Sequence, residues 1–315
     1  MRAAIVREIG TLPAPAEAPE PTPGGDESVL EVLASPLNPI DVAVAAGRFY
    51  GGHPSPPYVP GCECIGRLES GEIGWAHGAG LGTKRDGGLA ERVAVPRDAL
   101  VTVPPGAEPV LAGALGIAGL AGWLPLAWRA PVREGETVLV LGATGVVGLV
   151  AVQAARILGA GRIVAAGRKE GALRRAAERG ADDVVRLGAD DDAARLREAC
   201  GGDGPTLVVD PLWGEPLATA TDASAQGARL VNIGQSAGAE TTLTSAAVRG
   251  KQLEILGYSN FAAPPEVVDR EYRRLVEHAV AGDVRVDVEE VALDDVASAW
   301  RRQSESPGVK LVVVP

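Results

Sequence analysis

The chain has 315 residues, enough for two domains of ordinary size, and a formal net charge of −11 with a pI near 4.9. That charge argues against a nucleic-acid partner and against an anionic membrane surface, because both are held by clustered Lys and Arg. Three cysteines, Cys62, Cys64 and Cys200, cannot build a disulfide framework and suit the cytoplasm, and the charges among the first ten residues leave no apolar core for a signal peptide.

Strands are predicted over residues 2–7 and 28–34, joined by a surface tract at 11–26 rich in Pro, Ala and Glu. Asp41 reads as the N-cap of a short helix over 42–46 that Gly47 ends. Further short apolar runs at 64–68 and 90–95, punctuated by Gly and Pro, predict a mostly β domain through about residue 110. The 20 residues 109–128 carry no charge, which is the length of a bilayer span. Gly113, Gly116, Gly119 and Gly122 dilute its apolar content and Pro125 interrupts it, so a buried, closely packed segment is predicted and no membrane helix.

From Glu136 onward strands and helices alternate. Strands are predicted over 136–141, 162–166, 183–186, 206–210, 229–233 and 253–257, with helices over 147–158, 170–179, 193–200 and 216–225 between them. This alternation means an α/β fold, a doubly wound parallel sheet covered on both faces. After a helix over 266–281, short strands at 284–291 and 310–314 flank a helix at 294–302, so the chain is expected to re-enter its first domain. The expected division is a β-rich domain, 1–112 with 262–315, and a Rossmann domain, 113–261.

The sequence Gly142-Ala-Thr-Gly-Val-Val-Gly148 stands where the first strand of that sheet turns into its helix. Gly145 lets the backbone approach a pyrophosphate, Gly148 lets the helix lie close on the strand, and the N–H groups at the helix start bind the anion. A glycine-rich packing turn without a ligand is the plain alternative. Ala143 replaces one glycine of the usual fingerprint, but the complete βαβ unit around the turn supplies specificity. The next strand ends in Gly167-Arg168-Lys169, without the acidic residue that would bind a free ribose 2′-hydroxyl. Two cations there suit a 2′-phosphate, so NADPH is favoured over NADH.

Leu37-Asn-Pro-Ile-Asp41, Gly47-Arg-Phe-Tyr50, Val59-Pro-Gly-Cys-Glu-Cys-Ile-Gly66, Gly88-Leu-Ala-Glu-Arg-Val93, Gly227-Ala-Arg-Leu-Val-Asn-Ile-Gly234, Arg249-Gly-Lys251 and Gly308-Val-Lys310 occur in this order around the glycine turn. Together they resemble the medium-chain dehydrogenase/reductase superfamily, and within it the zinc-free quinone oxidoreductases similar to zeta-crystallin. The resemblance implies a discontinuous, β-rich, GroES-like catalytic domain in addition to the Rossmann domain, and a homodimer. It places Asn38 where the zinc enzymes keep their first Cys, and Cys62 where they keep the His of a Gly-His-Glu triplet. An Asn amide does not replace a thiolate as a zinc ligand, so no metal is expected.

Without a metal the acceptor must take hydride readily, as quinones and conjugated enones do, while the protein orients the nicotinamide and donates to a developing oxyanion. Asn38 and Tyr50 are the candidate donors, although the family's tyrosine aligns with Phe49. Phe49, Tyr50 and Tyr58 crowd into ten residues of a chain that has only two Phe, five Trp and four Tyr. With Phe261 they are candidates to stack on a flat substrate, or a small satellite core. Expected cofactor contacts are Gly142, Ala143, Thr144, Gly145, Val146, Val147, Gly148, Gly167, Arg168 and Lys169, with Asn232, Ile233, Gly234 and Lys310 added by resemblance. Asp210 either lines the same crevice or caps a turn. An enoyl-thioester reductase and a non-catalytic NADPH-binding sensor or structural protein are the competing readings.

Overall fold

A computed structural model describes residues Met1–Pro315. In chain order the elements are β1 (Arg2–Ile5), β2 (Ala14–Glu17), β3 (Glu27–Pro36), α1 (Pro39–Ala45), β4 (Glu63–Arg67), β5 (Ile73–His77), β6 (Arg92–Pro96), β7 (Leu100–Thr102), α2 (Pro109–Ala114) and α3 (Ile117–Leu124). There follow β8 (Thr137–Val140), α4 (Val146–Ile157), β9 (Arg162–Gly167), α5 (Glu170–Glu178), β10 (Asp183–Arg186), α6 (Asp192–Ala199), β11 (Leu207–Asp210), α7 (Gly214–Ala223) and β12 (Arg229–Asn232). The last are α8 (Ser245–Gly250), β13 (Glu254–Gly257), α9 (Pro265–Val280), β14 (Val288–Ala292), α10 (Val296–Ser304) and β15 (Lys310–Val314).

Two compact units result. The first comprises Met1–Ala118, Tyr272–Val280 and Val286–Pro315, and the second Gly119–Glu271 with Ala281–Arg285. The divisions lie inside α3 and α9, several residues beyond the borders drawn at 112 and 262 from composition.

In the second unit a six-stranded parallel sheet runs in the order β10-β9-β8-β11-β12-β13. Its central strands are continuous apolar runs, Thr-Val-Leu-Val in β8 and Leu-Val-Val-Asp in β11, because helices cover both faces. Strand order reverses between β8 and β11, and the glycine turn after β8 emerges at that point. Every residue of α4 from Gly148 to Ala155 is buried.

In the first unit β3 organises a seven-stranded sheet, pairing with β4, β6 and β15. One core holds Leu37, Tyr58, Leu89, Trp300 and Leu311; the other holds Leu30, Cys64, Val93 and Val95. The tract at 11–26 supplies a strand that its composition hides, as β2 pairs antiparallel with β1. Pro15 is tolerated there because β2 is the edge strand of the pair.

The uncharged stretch 109–128 is two helices, separated at Leu115–Gly116 and followed by a π-helical turn at Pro125–Arg129. A buried carboxylate causes the break: a Cβ on Gly116 would lie 2.0 Å from Glu63 Oε2, which accepts the Ile117 N–H at 2.8 Å. Gly122 serves the second unit, where a Cβ would meet Val147 O at 2.5 Å. No helix is long and apolar enough to cross a membrane.

Candidate active site

The glycine turn joins β8 to α4 with Gly142 at φ +60° and Gly145 as the residue capping the helix. A Cβ on Gly148 would meet Gly142 O at 2.5 Å and Ala143 Cα at 2.6 Å, so only glycine lets the helix sit this close to the strand. On Gly145 a Cβ would approach nothing nearer than Gly142 O at 3.8 Å, so this side of the turn faces open space. The Ala143 N–H is spent on Ala166 O (3.0 Å), and the helical ladder begins with Leu149 N–H on Gly145 O (2.9 Å). The N–H groups of Val146, Val147 and Gly148 therefore stand at a helix start, the arrangement that takes a phosphate. These residues fit a dinucleotide pyrophosphate.

Gly167 ends β9 against the turn, since a Cβ there would press within 2.7 Å of Thr144 Cγ2. Arg168 and Lys169 follow it, both exposed. Across the reversal, Asp210 is fully buried at the end of β11. Its Oδ1 accepts the N–H groups of Leu212 and Trp213, both at 2.9 Å, and its Oδ2 accepts Asn232 Nδ2 at 2.9 Å. The turn-cap alternative for Asp210 thus matches its bonds. Burial pushes its carboxyl up, against the downward pull of Asn232 and the two N–H groups. Asn232 Nδ2 also donates to Gly234 O (2.7 Å), so its amide ties two loops together and has no hydrogen left for a ligand. Ile233 donates its N–H to Asp210 O (2.8 Å), and a Cβ on Gly234 would lie 2.7 Å from Pro211 O.

Trp213 is backbone-strained, with φ +56° and ψ −157°. Such a conformation is adopted almost only by glycine and costs about 1–3 kcal/mol.

In the first unit Asn38 and Lys310 belong to a buried polar cluster with Glu63 and Trp75. Asn38 is 1% exposed, and its Nδ2 donates to Glu63 Oε1 (2.8 Å) and Pro36 O (3.3 Å) while its Oδ1 accepts from Lys310 Nζ (2.6 Å). Lys310, 3% exposed, also donates to Leu37 O (2.9 Å) and stands 3.9 Å from Glu63 Oε1. The other Glu63 oxygen accepts Trp75 Nε1 at 2.8 Å as well as the Ile117 N–H. Donation from Asn38 to a substrate therefore requires breaking a bond to Glu63 or Pro36, and Lys310 has its ammonium turned into this cluster. Both side chains are thus engaged within the protein. Burial pushes the Glu63 carboxyl up and the Lys310 ammonium down, and each partly offsets the other.

Asp41 is the third helical residue of α1, with Asn38 as the cap. The Asp41 Oδ2 reaches back to the Asn38 N–H (2.7 Å) and its Oδ1 accepts the Cys62 N–H (2.8 Å). Position N3 is where an acidic side chain satisfies the cap backbone, which explains the three-residue difference from the sequence reading. Tyr58 lies in the core, 3% exposed, and its hydroxyl is buried without a hydrogen-bond partner. Burial, with Cys62 and Asp41 nearby, pushes it up to about 12. Tyr50 is the opposite case at 87% exposure, its ring 4.5 Å from that of Phe49. Phe261, in the second unit, is 42% exposed.

Glu63 and Trp75 are the members of this cluster that were not expected in the substrate or cofactor site. A lone acid in the otherwise apolar run Cys62–Ile65 was the signal for Glu63. The zinc positions of the related enzymes do not assemble a ligand set here. Burial holds the Cys62 thiol well above its ordinary range, reinforced by the Asp41 carboxylate; the Asn38 oxygen faces an ammonium; and no three His, Cys, Asp or Glu side chains converge on a metal-sized site. His77 stacks on Trp75 with centroids 4.9 Å apart, and burial lowers its ring to about 4.

A glycine turn at the switch point of a parallel sheet, in a chain whose other unit is β-rich with a buried polar cluster, defines a dinucleotide-dependent oxidoreductase fold. The family model for zinc-binding dehydrogenases matches residues 146–279, a region that contains neither Asn38 nor Cys62. The quinone oxidoreductase of Lama guanicoe is 27% identical over 274 residues, covering 84% of this chain and 82% of that protein. A phenolphthiocerol/phthiocerol polyketide synthase chain of Mycobacterium tuberculosis is 26% identical over 310 residues, 93% of this chain but 14% of the synthase. The solved quinone oxidoreductase from Thermus thermophilus, studied also in its complex with NADPH, has a TM-score of 0.84 at 28% identity and full coverage of both chains. In sequence and in fold the chain is similar to quinone oxidoreductases of the medium-chain dehydrogenase/reductase superfamily.

Proposed function

We propose that this oxidoreductase uses NADPH to reduce a quinone or an activated enone, without zinc. The observation that carries the reading is the end of β9, where Gly167 packs on the phosphate turn and the next two residues are exposed cations in place of an acid. Bound there, NADPH would supply hydride. The protein would hold the pyrophosphate on the Val146–Gly148 N–H groups and the 2′-phosphate on Arg168 and Lys169.

On the acceptor side Tyr50 is the exposed aromatic residue of the first unit, with its ring against the partly buried Phe49, and it is the donor we assign to the acceptor oxygen. Asn38, Asp41, Glu63 and Lys310 fix the start of α1, the helix that leads towards it. All three cysteines are free and buried, which suits the cytoplasm, and the family resemblance implies a homodimer.

An enoyl-thioester acceptor is the second reading, favoured by the polyketide synthase segment that matches nearly the whole chain. The test is NADPH oxidation against quinones, enones and enoyl thioesters, with wild type and Tyr50→Phe compared. Turnover of quinones or enones with loss in Tyr50→Phe supports the assignment. Turnover of thioesters alone moves the protein to the second reading, and equal rates in both proteins remove Tyr50 from the site.

A further inference from the structure

A cavity of about 290 Å³ opens within the second unit, lined by Gln153 of α4, by Glu178, Arg179 and Gly180 at the end of α5, and by Gly282, Asp283 and Arg285 between α9 and β14. Gly180 lies just ahead of β10, so the cavity stands at the amino edge of the parallel sheet. The glycine turn follows the carboxyl end of β8 and is therefore at the other edge.

Gln153 builds one wall. It is the only polar side chain in the buried run Gly148–Ala155, and it is 4% exposed. Its Oε1 accepts the Arg285 N–H (2.8 Å), while its Nε2 donates to Arg285 O (3.0 Å) and Leu149 O (2.9 Å). The amide thus pins the backbone of the 282–285 segment to α4. On the other wall α5 ends in a Schellman turn, with Gly180 at φ +108° donating to Ala177 O (3.0 Å) and Ala181 donating to Ala176 O (3.0 Å). Gly282 has φ +87°, and a Cβ on either glycine would meet nothing within 4 Å, so the backbone at the cavity is bare.

The charges lining this space are balanced: the guanidinium groups of Arg179 and Arg285 and the carboxylates of Glu178 and Asp283. Arg156 is committed to Asp182 (2.6 Å) and Gly180 O (3.0 Å). A ligand of one sign would be drawn to one pair and repelled by the other. A ligand that carries both signs close together is matched by both, since a guanidinium fork takes a carboxylate and carboxylates take an ammonium. The volume falls just short of the roughly 300–1,000 Å³ of sites for drug-sized ligands, so the ligand must be small.

We propose that this cavity binds a free α-amino acid, with its carboxylate on Arg179 and Arg285 and its ammonium on Glu178 and Asp283. The site is separate from the dinucleotide turn and stands whether or not NADPH is the cofactor. Occupancy would tie the end of α5 to the 282–285 segment, and a ligand held by the folded chain raises its melting temperature by mass action.

The experiment takes the full chain through thermal melts and calorimetry with each of the twenty protein amino acids, and with acetate and ethylamine as the two halves of the charge pattern. At least one amino acid should bind saturably and raise the melting temperature, and acetate and ethylamine should do neither. Asp283→Asn and Arg285→Gln, each melted alone to confirm folding, should weaken that amino acid about tenfold or more, the scale of a charge-assisted hydrogen bond, with NADPH binding as in wild type. Glu178→Gln gives the same reading if either variant fails to fold. Absence of binding by all twenty, equal binding of acetate or ethylamine, or wild-type affinity in the folded variants overturns the proposal.

Discussion

Lys310 shows how a motif can be legible while the partners of its side chain are not. Its position in Gly308-Val-Lys310 was legible, but the sequence could not show that its ammonium is buried beside Glu63 and Asn38, because the partners lie more than 240 positions away. A buried ion pair contributes little net stability, yet removal of one partner leaves an uncompensated charge and costs about 3–5 kcal/mol. Lys310→Met should therefore lower unfolding free energy in urea by about that amount, and adding Glu63→Gln should recover part of the loss. A variant of wild-type stability with weakened NADPH binding would return Lys310 to the cofactor. Tyr50 and Tyr58 make a parallel case: eight residues apart in sequence, one is exposed and the other lies in the core. Local composition carried no information on which was which.

At the scale of elements, the β8–turn–α4 unit was the most legible part of the chain, because its signals are local: an apolar strand, glycines at fixed offsets and a helix of small apolar residues. Strands β2, β5 and β7 were not foreseen, since β2 is Ala-Pro-Ala-Glu and β7 has three residues. Their pairing is a tertiary event that propensity does not encode. The glycine turn also gives a sharp element-level expectation. Gly148→Ala must displace Gly142 or Ala143, which should cost about 1–3 kcal/mol of stability and weaken NADPH binding. Gly250→Ala, with nothing within 4 Å of the added Cβ, should melt at or above the wild-type temperature and bind normally. Equal behaviour of the two variants would mean that the turn tolerates the methyl group and that close helix–strand approach is not required.

At the scale of the whole molecule, the discontinuous β-rich unit, the parallel sheet and the return of the chain to its first unit were all visible as a change from short punctuated strands to strict alternation and back. The expectation of NADPH rests on equally local residues, since Arg168 and Lys169 are adjacent in sequence. The acceptor side was not, because it depends on which of several buried and exposed groups the fold presents. The central claim is thus that the end of β9 reads a 2′-phosphate. It is tested most directly by dissociation constants for NADPH and NADH with wild type and Arg168→Ala. Wild type should prefer NADPH, and the variant should lose about ten- to hundredfold in NADPH affinity with NADH unchanged, the scale of a hydrogen bond to a charged group. Equal affinity of wild type for the two dinucleotides, or an unaltered NADPH constant in Arg168→Ala, would contradict it.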